Sequence, residues 1–290
     1  MKTKTFKATA TTYIKLNAIA IAVQNGTREE IITLIDDLIA FKTLERKPAW
    51  IREMGKLRDF IAGNASTPWP IFKHDGNSKL PFVAFSSLPG VTCPGAGDCL
   101  EWCYSFRAWR YPAAFARMAQ NAWLMRINPK AIVEAFNAIP SHIKTMRLYV
   151  DGDFASVADV SFWMELIRTR PSLDVYGYSK SFSELLAYQR DWPYWPKNYL
   201  LNLSGGHAHN ADIVEKMKAL PITRGTFDAV SIGRKVKAKD HGTKETNRSL
   251  FEVAGKGIFP CPGKCGSCTP KGHACGSERF RGIPIAIAVH

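Results

Sequence analysis

At 290 residues, with 46% hydrophobic and 22% charged positions, the chain has an ordinary folded composition, which excludes disordered, collagen-like and coiled-coil classes. Thirty-nine Lys and Arg against 25 Asp and Glu leave a net charge of +14, which favours polyanionic partners by long-range attraction without setting any specificity. The longest apolar stretches, 16–23 broken by Asn17 and 283–289 broken by Pro284, fall short of the roughly 20 residues a membrane span needs.

Residues 1–80 carry a helical pattern. Thr27, Arg28, Glu29 and Glu30 form a capping box ahead of Ile31, Ile32, Leu34, Ile35, Leu38 and Ile39. Lys2, Lys4 and Lys7 ahead of 16–23 imitate a short signal peptide, but Lys15 abuts the apolar run and no cleavage-type site follows, so the chain is expected to be cytoplasmic. Gly, Ser, Asn and Pro at 64–70 and 74–78 mark a boundary.

From residue 81 the pattern changes to short strands at 81–86, 146–150, 173–178, 199–203 and 229–232. Helix-length stretches at 157–168, 183–190 and 210–220 separate the later ones, with Ser156, Ser181 and Asn210 as caps. From the second strand on, successive starts lie about 26–30 residues apart, the period of a βα unit. The expected fold is α/β, a partial (βα) barrel or an open parallel sheet. A helical N-terminal segment (1–80) precedes a (βα) core (81–235), and a basic, cysteine-rich tail (236–290) follows.

In such folds function gathers at the carboxyl ends of the strands. There the sequence places the first cysteines, then Asp151-Gly152-Asp153-Phe154, Ser179-Lys180-Ser181, Ser204-Gly205-Gly206-His207-Ala208-His209 and Gly233-Arg234-Lys235. These loops are expected to share one mouth or, taken singly, to be helix-capping turns.

Seven cysteines is an odd number, split into Cys93, Cys99 and Cys103 and then Cys261, Cys265, Cys268 and Cys275. Tight groups in a cytosolic chain hold metal more often than disulfides. Gly95 and Gly97 let the first loop fold back so that three sulfurs converge, and no histidine occurs between His74 and His142. Three thiolates without a nearby fourth ligand suit an iron–sulfur cluster with one open iron, or a centre completed by a tail cysteine. The second group suffices for a four-thiolate site, either 4Fe–4S or zinc, and His273 could replace Cys275 around zinc. The tail has too few apolar residues to fold alone, and metal would supply the missing cross-linking.

Arg107, Arg110 and Arg117 alternate with Phe106, Trp109, Tyr111 and Phe115, a pattern that can clamp nucleic acid. The stronger reading is structural, a helix starting at Pro112 with Phe115, Met118, Ala119, Ala122 and Met125 on its core face. Residues 235–248, with Lys237, Lys239, Lys244 and Arg248, read as a solvated basic loop.

The run TCPGAGDCLEWCYSFRAWRYPAAF, followed by RLYVDGDF, LDVYGYSKS and NYLLNLSGG, resembles the gene product 88 family of bacteriophages and plasmids, over about residues 80–235 and the cysteine tail. That resemblance implies iron–sulfur binding and no particular reaction. More distantly, the chain is similar to radical S-adenosylmethionine enzymes. These carry a three-cysteine loop after the first strand of a partial (βα) barrel, an aromatic residue before the third cysteine, here Trp102, and an acidic glycine motif after the second strand, here Gly152-Asp153. Many also have a cysteine-rich tail holding an auxiliary cluster.

The spacing departs from that pattern, with five and three residues between the cysteines in place of three and two, and Asp-Gly-Asp in place of Gly-Gly-Glu. Cys261, Cys265 and Cys268 do have the three-and-two spacing, but they lie late in the chain with Ser267 before the last. The likeness implies one or two 4Fe–4S clusters and S-adenosylmethionine as cofactor. Asp153 and Lys180 would be catalytic, and Gly152, Asp153, Ser179, Ser204 and His207 would surround the cofactor. The alternative is a non-catalytic iron–sulfur or zinc protein that contacts nucleic acid or a host protein through its basic surface.

Overall fold

A computed structural model describes residues 11–74, 80–266, 268–269 and 272–289. Lys2, Lys4, Lys7, most of the loop expected at 74–78, and Ser267 lie outside the described residues.

Three helices come first, α1 (Thr11–Asn25), α2 (Arg28–Leu44) and α3 (Pro48–Ala62). Thr27 caps α2 as the sequence predicts, its hydroxyl accepting from the Glu30 amide at 3.1 Å. Ile31, Ile35 and Leu38 are buried. Next come β1 (Val83–Ala84), 3-10 turns at 98–101 and 104–110, α4 (Pro112–Ile127) and α5 (Pro129–Asn137). Leu16, Ile19, Leu57, Phe115 and Ala119 share one apolar cluster, so the N-terminal helices pack on α4 and join the core's first crossover.

The remaining elements are β2 (Thr145–Leu148), α6 (Val157–Arg168), β3 (Asp174–Ser179), α7 (Phe182–Asp191), β4 (Tyr199–Ser204), α8 (Ala211–Lys218), β5 (Thr223–Val230), α9 (Lys244–Ala254), β6 (Phe259–Pro260) and β7 (Ile285–Ala288). All pair in parallel, in the order β1-β2-β3-β4-β5-β7-β6. Through β5 the order runs without reversal. Right-handed crossovers then leave their helices on one face, unlike a doubly wound sheet with its switch point.

Side chains alternate accordingly. Met146, Leu148, Val175, Leu201 and Leu203 pack with Trp163, Ile167, Leu185 and Met217 of the helices. Tyr176 and Leu200 point to the other face, where Ala274, Cys275 and Phe280 cover them.

Three expectations are corrected. The last core strand begins at Thr223, well before 229, because Arg224 is fully buried yet bonded throughout. Its guanidinium donates to Asn202 Oδ1 (2.6 Å) and to the carbonyls of Thr226, Phe280 and Ile283. Within the expected basic loop, Lys244–Ala254 is a helix, capped by Thr243, which accepts from the Thr246 amide at 3.3 Å. Ser156 and Asn210 cap α6 and α8, but Ser181 makes no side-chain cap bond to α7.

The tail also enters the sheet. Although β6 precedes β7 in sequence, β7 lies between β5 and β6. The segment 261–284, which carries the second cysteines, is therefore the crossover between two neighbouring parallel strands, in the place where a helix usually runs.

Candidate metal and ligand site

The first cysteine loop is held at the carboxyl ends of β3 and β4 by its backbone. Gly97 N and Cys99 N both donate to Gly206 O at 3.1 Å, and Ala208 N donates to Gly95 O at 3.0 Å. A Cβ at Gly95 would overlap the Lys180 carbonyl oxygen, so this close approach requires glycine. Gly206, at φ +73°, faces Cys99 with no room for a side chain. Cys99 is buried, while Cys93 and Cys103 are half-buried.

The second group is held from below. Cys261 N donates to Ala286 O at 2.7 Å, joining it to β7. Asn202 Nδ2 donates to Cys275 O at 2.9 Å and to Gly177 O at 3.0 Å, fixing the last cysteine on the inner face of β3 and β4. Amides of Gly263 and Ala274 point at the sulfurs of Cys261 and Cys268, at 3.5 and 3.4 Å.

Both groups line one cavity of about 450 Å³, and all seven cysteines reach its wall. None is in a disulfide. Burial pushes the thiols of Cys93, Cys99 and Cys268 upward, that of Cys261 to about 12 and that of Cys275 to about 11. Such thiols are protonated near neutrality and become thiolates when a metal displaces the proton. Among the described residues, no group of three or more Cys, His, Asp or Glu side chains is placed to hold a metal ion as it stands. The thiols line the cavity without converging. The donor set itself fits a soft, thiolate-bound centre such as zinc or an iron–sulfur cluster.

His273 also lines the cavity, packed against Phe82 and Tyr176. Its Nδ1 accepts from the Gly276 amide at 3.2 Å, and burial pushes its pKa down. A neutral ring whose Nδ1 accepts carries its proton on Nε2, so in this orientation His273 offers zinc no lone pair.

Gly152, Asp153, Lys180 and Ser204 reach the cavity wall, whereas Ser179 and His207 are not among the residues lining it. Asp153 accepts from the Lys180 amide (2.7 Å) and the Phe154 amide (2.8 Å), tying together the loops after β2 and β3. Burial raises its pKa and these bonds oppose the rise. Lys180 Nζ donates to Ser204 Oγ at 2.7 Å. Ser179 Oγ accepts from the Ser181 amide. His207 packs on Phe182, its pKa lowered by burial and by the charges of His209 and Lys180.

The arginine-aromatic stretch is largely spent in the core. Phe106, Trp109 and Phe115 are buried and meet edge to face, Trp109 being 5.2 Å from each of the other two. Sequence reasoning missed Arg147, Tyr176 and Tyr178, which line the cavity from β2 and β3. Their signal was the alternation of these side chains with Met146, Leu148 and Val175, which turns them to the opposite face.

Fold and site together define an α/β protein with a cysteine-lined cavity over a parallel sheet. The chain belongs to the gene product 88 family, whose model matches residues 58–282 and so takes in both cysteine groups. No curated protein and no solved structure matches it. Among the described residues, no helix is long and apolar enough to cross a membrane.

Proposed function

We propose that this chain is an iron–sulfur protein of phage and plasmid type whose first cysteine loop and tail hold 4Fe–4S clusters at one cavity, and that it reductively cleaves S-adenosylmethionine. The observation that carries this reading is the lining of a single cavity by seven unpaired cysteines from two segments far apart in sequence. Cys93, Cys99 and Cys103 would hold the first cluster, and Cys261, Cys265, Cys268 and Cys275 the second. A cluster with one open iron supplies, when bound and reduced, an electron and a chelation point for the cofactor's amino and carboxylate groups.

The remaining work falls to the chain's own residues. Lys180 opposes the burial that keeps the Cys99 thiol neutral. Asp153 sets the loops after β2 and β3, and with three acceptor positions taken by Lys180, Phe154 and Ser179 its carboxylate keeps one lone pair that can accept from an ammonium group. Gly152 and Ser204 complete this wall. With one electron from an external low-potential donor and a hydrogen atom from substrate, the products would be methionine, 5′-deoxyadenosine and a substrate radical.

Iron, zinc and acid-labile sulfide in anaerobically purified protein provide the first test. About eight irons with equal sulfide support two clusters, and about four support one. Formation of 5′-deoxyadenosine on reduction then tests the reaction. Asp153→Ala should weaken S-adenosylmethionine binding with iron content intact; unchanged binding in a titration removes Asp153 from the cofactor site.

A second reading, a metal-stapled protein that contacts nucleic acid or a host protein, is favoured by the +14 charge. Zinc without sulfide, together with a nucleic-acid affinity that falls steeply with salt, would select it.

A further inference from the structure

Arg147 stands on the inner face of β2 and lines the cavity. Its guanidinium stacks on Tyr178, 4.6 Å from the ring centre, and Nη2 donates to the Tyr104 hydroxyl at 3.3 Å. Its Nε is enclosed and has no hydrogen-bond partner. Among the described residues, no Asp or Glu forms an ion pair with Arg147. Asp151 is close enough to feel its charge but is engaged by Ser86 and Ser105. The Tyr176 hydroxyl, next to Arg147 across the β2–β3 register, is also enclosed, with Cys265 and Cys275 near it.

An enclosed donor left unpaired costs stability unless something accepts from it. A permanently charged planar fork with an aromatic plane beneath it is suited to a carboxylate or phosphate. We propose that Arg147, stacked on Tyr178 and with the Tyr176 hydroxyl beside it, binds the oxyanion group of a small anionic substrate, seated between the first cysteine loop and the tail. The inference rests on the cavity described above and on no particular metal. Zinc in place of iron would sink the iron–sulfur reading and leave this site standing.

The test is calorimetric titration of the anaerobic, metal-loaded protein with benzoate, with its neutral isostere benzamide and with inorganic phosphate. Wild-type protein should bind benzoate or phosphate at one site and benzamide much more weakly, and the tighter of the two anions tells a carboxylate from a phosphoryl substrate. Arg147→Gln should weaken the preferred anion about tenfold to hundredfold, the loss of one charged hydrogen-bonding partner, with metal content unchanged. Arg147→Lys keeps the charge without the fork and should bind at least about threefold more weakly than wild type, which serves if the glutamine variant does not fold. Failure of wild-type protein to bind either anion, or wild-type affinity in the folded variants, overturns the proposal. So does loss of metal from Arg147→Gln, since the arginine would then belong to the metal centre.

Discussion

The two cysteine groups face the same cavity but are held there by different means. The first is fixed by backbone, through paired amide and carbonyl bonds to the 206–208 turn and a glycine pressed against Lys180. The second is fixed by buried side chains, Asn202 and Arg224, and by two short strands at its ends. A backbone clamp tolerates changes in side chain and fails when a Cβ intrudes. A side-chain network fails when one donor is removed and several acceptors lose their partner together.

The largest expected effect breaks the second arrangement. Arg224→Ala strips Asn202 Oδ1 and three carbonyls of their donor, and should cost about 4 kcal/mol. Denaturant unfolding would measure this, and metal analysis should show loss from the tail group first. Gly95→Ala breaks the first arrangement. It should cost about 2 kcal/mol by overpacking and empty the first loop of metal, while the tail keeps its own. Equal losses from both groups in either variant would mean that the groups are not held independently.

A smaller effect sharpens the contrast through pH. The folded thiols of Cys261 and Cys275, at about 12 and about 11, lie above the ordinary value of 9.0. Raised folded values favour the protonated form, so their contribution to stability is complete below pH 9 and is lost as pH climbs from there toward 11 and 12. Metal-free protein should therefore lose a few degrees of Tm between pH 8.5 and 10.5. Metal-loaded protein, whose thiolates are already formed, should change less. Thermal melts of both forms at matched ionic strength check this.

Much of the fold was legible because its strands alternate with capped helices. Met146 and Leu148, or Leu201 and Leu203, declare a buried face locally. What escaped was satisfied from a distance. Arg224 hides the start of β5 because its partners lie on β4 and in the tail, and Pro284 disguises the apolar run of β7. The sequence of α9 is polar on average and buries only Thr246 and Leu250, and the lysines before it mask its amphipathic face. The two cysteine groups stand out in the sequence, but nothing local could say that Cys93 and Cys275 would line the same cavity. Arg147 escaped because alternation turns it to the face opposite Met146 and Leu148 but gives it no chemistry until the facing tyrosines are known.

Strand order carries a consequence for assembly. During synthesis β6 appears before β7, the strand it pairs with, and it joins the sheet only when β7 inserts beside β5. The intervening cysteine segment has no fixed ends until that insertion. The sheet grows by threading at its far side, so closing it and bringing Cys261, Cys265, Cys268 and Cys275 to the cavity wall are a single event. An isolated tail is then the wrong object on which to study metal uptake, because the frame that orders its cysteines is β5.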